Sequence, residues 1–216
     1  MKRSRSKKNP WEDHYTRRAK EARYPARSVF KLEELQKKFG LLKKGGRVLD
    51  LGCAPGSWLL YAARAVGGAG SVVGIDLKPV TVALPPNVTV LTGDLLNLTE
   101  DLSERIGYGY QAVVSDMAPS TTGHKGVDAL RSLVLSEAAL ALAAERLKAG
   151  GNFACKIFQG ADFKSFLEEV RRMFDFCKAY RPAATRKASR ETYIIGLGRK
   201  QEDHHVGSQQ MVDNQA

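Results

Sequence analysis

In the stretch ARSVFKLEELQKKFGLL, apolar residues fall three and four apart: Val29, Leu32, Leu35 and Phe39 recur at helical spacing, with Ser28 placed to cap the start and Gly40 to stop the run. The spacing predicts a helix that carries Lys31. From Arg47 onward the pattern changes to short β-branched runs alternating with longer helical stretches. Strands are predicted at RVLDLG, SVVGID, VTVLTGD, QAVVSD, NFACKIF, FCKAYRP and ETYIIGLG. Helices are predicted from about Ser57 to Val66, over DALRSLVLSEAALALAAERL and over DFKSFLEEVRRMF. Such alternation is βαβ punctuation and predicts an α/β fold, an open, largely parallel sheet with helices on both faces. No internal repeat interrupts it. Ligands of such sheets bind beyond the carboxyl ends of the strands, near the point where strand order reverses, so residues at those ends are the candidate functional groups.

One predicted strand contains a residue that does not suit it. In GGNFACKIFQG, Phe153, Ala154, Cys155, Ile157 and Phe158 are apolar, yet Lys156 stands among them. A buried ammonium is costly and must pair or lose its charge. On this stretch alone, a lysine near a strand end that snorkels to water explains the pattern better than a functional lysine does.

Composition narrows the setting. A chain of 216 residues suits one domain, long enough to bury roughly 70% of the surface its unfolded form exposes. Cys53, Cys155 and Cys177 are odd in number and widely spaced, which suggests neither a disulfide framework nor a zinc site and fits a reducing cytoplasm. No apolar run approaches the roughly 20 residues of a membrane span. The start MKRSRSKKNPWEDHY has charge without the apolar segment of a secretory signal. These features predict a soluble cytoplasmic protein without membrane partners.

The net charge of +11 has a definite location. Residues 1–47 hold 16 Lys/Arg against 5 Asp/Glu, whereas residues 48–216 hold 18 of each. A basic arm on an otherwise balanced domain is the electrostatic footprint of a nucleic-acid partner, although a solubilising tail or a tether to an anionic membrane carries the same charge. The expected organisation is a basic arm over 1–23, a domain over 24–200 and a disordered tail over 201–216, where His204 and His205 are read as solvated.

The strand ends carry the chemistry. The first strand runs into DLGCAPGSW, where Gly52 and Gly56 allow positive φ and bring a ligand close to the start of the next helix. Asp76 closes the second strand, 26 residues after Asp50, and is placed to accept hydrogen bonds from ribose hydroxyls. The turn has neither the G-x-G-x-x-G of dinucleotide sites nor the G-x-x-x-x-G-K-[ST] of a phosphate loop. A nucleoside ligand without pyrophosphate points to S-adenosylmethionine. Asp94 and Asp116 close two further strands. Each alone could be a turn former, but the four acidic ends together suit cofactor hydroxyls, an adenine amino group and a methionine ammonium.

The segments SVFKLEEL, VLDLGCAPGSW, GIDL, SDMAP, KIFQG and SRETYII occur in the order, and at about the spacing, of the bacterial FtsJ/RrmJ-type (RlmE) ribosomal RNA 2'-O-ribose methyltransferases, and the chain resembles that family from about Tyr24 to Lys200. The ordered set is specific; each motif alone is not. The resemblance implies a Rossmann-like methyltransferase with an open, mostly parallel seven-stranded sheet. It implies a Lys-Asp-Lys-Glu tetrad at Lys31, Asp116, Lys156 and Glu191, with Lys156 as proton acceptor. It implies S-adenosylmethionine contacts at Gly56, Trp58, Asp76, Asp94 and Asp116, and a uridine in the A loop of 23S rRNA in the large ribosomal subunit as target; because a sulfonium donor is already activated, no metal is chemically needed. A monomer is expected. Ser57 stands where many members have a second glycine. Competing readings are the same chemistry on another RNA such as tRNA, a catalytically silent RNA-binding assembly factor, which the intact tetrad argues against, and an NAD-dependent oxidoreductase, disfavoured by the missing glycine pattern.

Overall fold

The computed structural model describes residues 10–201, with side chains from residue 14 onward. Seven strands, β1 (Arg47–Leu51), β2 (Ser71–Asp76), β3 (Val88–Thr92), β4 (Tyr110–Ser115), β5 (Leu147–Phe158), β6 (Phe174–Tyr180) and β7 (Glu191–Arg199), form one sheet in the order β3-β2-β1-β4-β5-β7-β6. All neighbouring pairs are parallel except those made by β7, which is antiparallel to β5 and to β6. Among the described residues, six helices accompany them: α1 (Pro10–Glu21), α2 (Val29–Phe39), α3 (Ser57–Val66), α4 (Glu100–Ile106), α5 (Lys125–Arg146) and α6 (Phe163–Met173). The expected Rossmann-like sheet is therefore present. Its order reverses between β1 and β4, so their carboxyl ends border the ligand crevice of this architecture.

The pleat divides the sheet residues by parity. Leu49, Leu51, Val113, Phe153, Cys155 and Ile194 face the core built with α4, α5 and α6. Val48, Val72, Val114, Ala154 and Ile195 face the core under α2 and α3, where Leu32, Leu35 and Leu59 are fully buried. Each such leucine contributes about 1.5–3 kcal/mol by leaving water, which holds the two helices on this face despite their short length. The registers Asp50↔Gly74, Asp50↔Val114, Val114↔Ala154 and Lys156↔Tyr193 extend the α2/α3 face to the carboxyl ends. Asp76, Asp50, Asp116, Lys156, Tyr193 and Glu191 consequently share one side of the sheet, because side chains two residues apart point the same way.

Local differences from expectation have identifiable causes. Gly40 ends α2 in the left-handed conformation at φ 63°, as its position suggested, but the Ser28 side chain makes no capping bond. Its carbonyl instead accepts the Trp58 indole N–H at 2.9 Å. Helix α4 offers only Leu102 and Ile106 as buried positions, too few for a periodic signal, and is started by the Thr99 hydroxyl accepting from the Leu102 N–H. Asp94 lies two residues beyond the end of β3, and Asp50 lies inside β1 rather than at its end.

Residues 1–9, which carry the basic cluster from Lys2 to Lys8, lie outside the described residues, as does the tail from 202 with His204 and His205. The rest of the basic segment is largely helical. Ala19 of α1 is buried against Val29, Phe30 and Ala184, with Tyr15 and Tyr24 packed around them. The Arg18 guanidinium lies 4.4 Å from the centre of the Phe30 ring. Among the described residues, no helix is long and apolar enough to cross a membrane.

Candidate active site

A cleft of about 390 Å³ opens at the carboxyl ends of β1, β2 and β4, lined by Gly52, Ala54, Asp76, Asp94, Asp116 and Met117 among others. Gly52 has φ 77°, and a Cβ there would stand 2.5 Å from the Met117 Cγ, so only glycine leaves this corner open. Asp76 is fixed by its own turn: its Oδ2 accepts from the Ala54 N–H and its Oδ1 from the Lys78 N–H, both at 2.9 Å. Each oxygen keeps a further lone pair for a ligand hydroxyl. Asp94 accepts from the Asn97 amide at 2.7 Å and from the Leu96 N–H at 2.9 Å, and these bonds hold its carboxyl below the usual value. The exposed side chains of Leu77 and Leu96 also border the cleft and offer apolar surface to a flat ring.

Asp50 is the anomaly beside this cleft. It is fully buried, and neither carboxylate oxygen has a hydrogen-bond partner among the described residues. Burial first, and then the charges of Asp116 and Asp76, push its carboxyl well above the usual value. Of the three neighbouring acids, Asp116 is balanced by Lys156 and Lys31, whereas Asp50 has no such partner among the described residues.

The four tetrad residues come together from α2, β5, β7 and the loop that follows β4. Lys156 of β5 donates to both the side chain and the main-chain carbonyl of Asp116, the carboxylate contact being 2.9 Å. Lys31 of α2 lies 2.6 Å from Glu191 at the start of β7 and 4.0 Å from the same Asp116 oxygen. Burial alone would raise the Asp116 carboxyl, but Lys156, Lys31 and the bonds from Lys156 and Tyr193 outweigh it and hold it below the usual value. The ammonium of Lys156 does not snorkel; the side chain is 6% exposed and ends on Asp116.

Sequence reading missed Tyr193. Its hydroxyl donates to Asp116 Oδ1 at 2.5 Å, and burial together with Asp116 and Glu191 keeps that hydroxyl protonated by pushing its pKa well up. The signal was available, since Tyr193 is two residues from Glu191 on the same strand and so on the same face. Trp58 has a different place from that implied. Its ring is buried and stacks on Tyr193 with centroids 6.0 Å apart, while its N–H ties down Ser28, so its side chain supports the tetrad from below instead of lining the cleft. Gly56 precedes α3 with φ 106°, and a Cβ would meet Val80 and Val82 side chains at 2.9 Å. Ser57 is turned from the cleft: its hydroxyl accepts from the Ala26 N–H and donates to the Ala26 carbonyl. The two local ties at Ser28 and Ala26 position the segment that leads Lys31 into the site.

The family model for FtsJ-like methyltransferases matches residues 24–199, a span that holds every tetrad residue and the whole sheet. The chain belongs to that family. This methyltransferase is 57% identical to the ribosomal RNA large subunit methyltransferase E of Desulforapulum autotrophicum over 92% of this chain and 98% of the other. It is 51% identical to the protein of the same name from Desulfatibacillum aliphaticivorans, over 94% and 99% of the two chains. Among solved structures, a ribosomal RNA methyltransferase from Plasmodium falciparum superposes with a TM-score of 0.71 at 26% identity, covering 82% of the methyltransferase and 98% of the other chain.

Proposed function

We propose that this methyltransferase transfers a methyl group from S-adenosylmethionine to a ribose 2'-hydroxyl of 23S rRNA, at a uridine of the A loop in the large ribosomal subunit. The observation that carries the reading is the assembled tetrad, a buried lysine and a second lysine sharing one carboxylate, at the edge of a nucleoside-sized cleft. The names of the relatives support the choice of RNA.

The cleft suits the cofactor. Asp76 is placed for ribose hydroxyls, Asp94 for polar groups of the adenine end, the glycine corner at Gly52 for close approach, and the unpartnered Asp50, with Asp116, for the positive end of the methionine moiety. When bound, S-adenosylmethionine supplies a methyl group already activated by its sulfonium. The protein has to align the hydroxyl and remove its proton, and alignment of reactants alone is worth effective molarities of about 10⁵ M or more. Lys156 Nζ accepts the hydroxyl proton, a step that requires the ammonium paired with Asp116 first to give up a proton of its own. Asp116 then stabilises the ammonium that forms, 2.9 Å away. Glu191 neutralises Lys31 at 2.6 Å, so Lys31 can orient the ribose without opposing the arrival of charge on Lys156.

The test is transfer of labelled methyl from S-adenosylmethionine to rRNA and to intact large subunits, followed by mapping of the modified ribose. Label on a ribose of the A loop is the expected result. Label confined to tRNA, or to a base, would replace this reading; absence of transfer with normal RNA binding would make the protein an assembly factor. We further expect the protein to act as a monomer in the cytoplasm.

A further inference from the structure

Strand β4 ends before its neighbour β5 does. Their pairing stops at Ser115↔Cys155, whereas β5 runs on to Phe158. On its other side β5 keeps β7: the Gln159 N–H donates to the Arg190 carbonyl at 3.2 Å, one step beyond the pair Phe158↔Glu191. Antiparallel strands alternate bonded and non-bonded pairs, so the main-chain groups of Lys156 and Phe158 point away from β7, toward the line that β4 has left. Had that ladder continued, the Lys156 carbonyl would accept from the Met117 N–H and the Phe158 N–H would donate to the Met117 carbonyl. The chain turns off instead: the Met117 N–H donates to the Ser115 hydroxyl at 3.4 Å, and the Asp116 carbonyl accepts from Lys156 Nζ.

Two buried serines of α5 occupy the gap. Ser132 Oγ accepts from the Phe158 N–H at 2.9 Å, and Ser136 Oγ donates to the Lys156 carbonyl at 3.0 Å. We propose that Ser132 and Ser136 are positioning residues for methyl transfer: they take over the β4 ladder at the end of β5 and so fix the stem from which Lys156 reaches Asp116. The assignment rests on the function proposed above.

The placement follows from helix geometry. Residues four apart lie on one face, so the two hydroxyls meet the strand together, and their small side chains let α5 approach it closely. Helix α5 covers the face of the sheet opposite the tetrad, so neither serine stands on the side where Lys156, Asp116 and Lys31 meet. Their influence passes through the main chain. A buried N–H or C=O left unpaired is costly, and without the hydroxyls the strand end must shift or admit water to satisfy them. A proton acceptor works only within hydrogen-bond reach, about 2.6–3.2 Å, and a misplacement of about 1 Å can cost on the order of 100-fold in rate. Lys156 is long and flexible, so its Nζ is placed from two ends: Asp116 holds the tip at 2.9 Å, and the serines hold the backbone beneath it. The two are not equal. Ser136 has one hydroxyl proton and also lies 2.8 Å from the Ser132 carbonyl one helical turn back, so its bond to Lys156 is shared, whereas Ser132 faces the Phe158 N–H as an acceptor.

Single-turnover methyl transfer to large-subunit rRNA at saturating protein and S-adenosylmethionine tests the assignment, with the affinity for each substrate and the melting temperature measured beside it. The proteins compared are the parent, Ser132→Ala, Ser136→Ala and Ala143→Gly. Ser132→Ala is expected to lower the rate about tenfold, the upper range for one neutral hydrogen bond, and Ser136→Ala about threefold because its proton is shared. Affinities for RNA and for S-adenosylmethionine should stay within about twofold, since neither serine is on the tetrad's side of the sheet. Ala143→Gly weakens the same helix at a buried position about two turns beyond Ser136, and is expected to melt lower while keeping the parent's rate. Ser136→Ala reports by itself if Ser132→Ala does not fold. With the parent active, unchanged rates in the folded serine variants overturn the positioning role alone, as does an equal loss of rate in Ala143→Gly, which assigns the effect to the helix as a whole. A parent that transfers no methyl to this RNA overturns the proposed function, and the positioning role with it.

Discussion

Asp116 holds more of the site together than any other single side chain. One of its oxygens lies 2.9 Å from Lys156, 4.0 Å from Lys31 and 2.5 Å from the Tyr193 hydroxyl. Asp116→Ala leaves Lys31 with Glu191 but leaves the ammonium of Lys156, 6% exposed, with only a main-chain carbonyl. Breaking a buried pair by removing one partner costs about 3–5 kcal/mol, because the other charge stays behind unmatched. For a chain of this size each kcal/mol lowers Tm by about 2–4 °C, so a fall of roughly 6–20 °C is expected. Asp116→Ala/Lys156→Met removes the stranded charge as well and should regain at least about 2 kcal/mol over Asp116→Ala, a coupling typical of contacting residues. The assay is equilibrium unfolding in urea for the parent, both single variants and the double variant at pH 7. Since the Asp116 carboxyl titrates below its unfolded value, its stabilisation is complete above about pH 4 and is lost as pH falls through the folded value; the gap between parent and Asp116→Ala should therefore close in acid. An Asp116→Ala protein within about 1 kcal/mol of the parent, or a double variant no more stable than Asp116→Ala, would refute the pairing as the organising interaction.

Three further outcomes are expected. Lys156→Ala should nearly abolish methyl transfer while S-adenosylmethionine binding stays within a few-fold by calorimetry; near-normal turnover by a folded variant would remove Lys156 from the proton acceptor's role. Asp76→Ala should weaken S-adenosylmethionine binding roughly 10-fold to 150-fold, the worth of a charged hydrogen-bond partner at ~1.5–3 kcal/mol, and unchanged affinity would move the cofactor elsewhere. Asp50 has a raised folded pKa, so it favours folding less and less as pH rises above its unfolded value of about 3.9. Asp50→Asn should accordingly melt higher than the parent at pH 7, by on the order of 1 kcal/mol, with the advantage shrinking toward pH 4, and should bind S-adenosylmethionine more weakly; a lower melting temperature at pH 7 would mean that the carboxylate has a stabilising partner in the free protein.

The order of elements was legible in the sequence because it depends on local periodicity. Short β-branched runs such as SVVGID and the helical spacing of Val29, Leu32 and Leu35 mark strands and helices before any tertiary contact is known. The glycine corner at Gly52 and the positions of Asp76 and Asp116 at strand ends follow from the same reading. Helix α4 did not, since two buried residues make no period. Period two also places Asp50, Asp76, Asp116, Lys156, Glu191 and Tyr193 on one face once the strand registers are known, but registers are set by packing between strands distant in sequence. The tertiary structure alone decided that Lys31, 85 residues before Asp116, shares its carboxylate with Lys156. It also turned Trp58 inward beneath Tyr193 and left Asp50 buried without a partner. Those outcomes depend on where α2 and α3 settle on the sheet, which is fixed by the summed burial of side chains such as Leu32, Leu35 and Leu59 and has no signature in any short stretch of the chain.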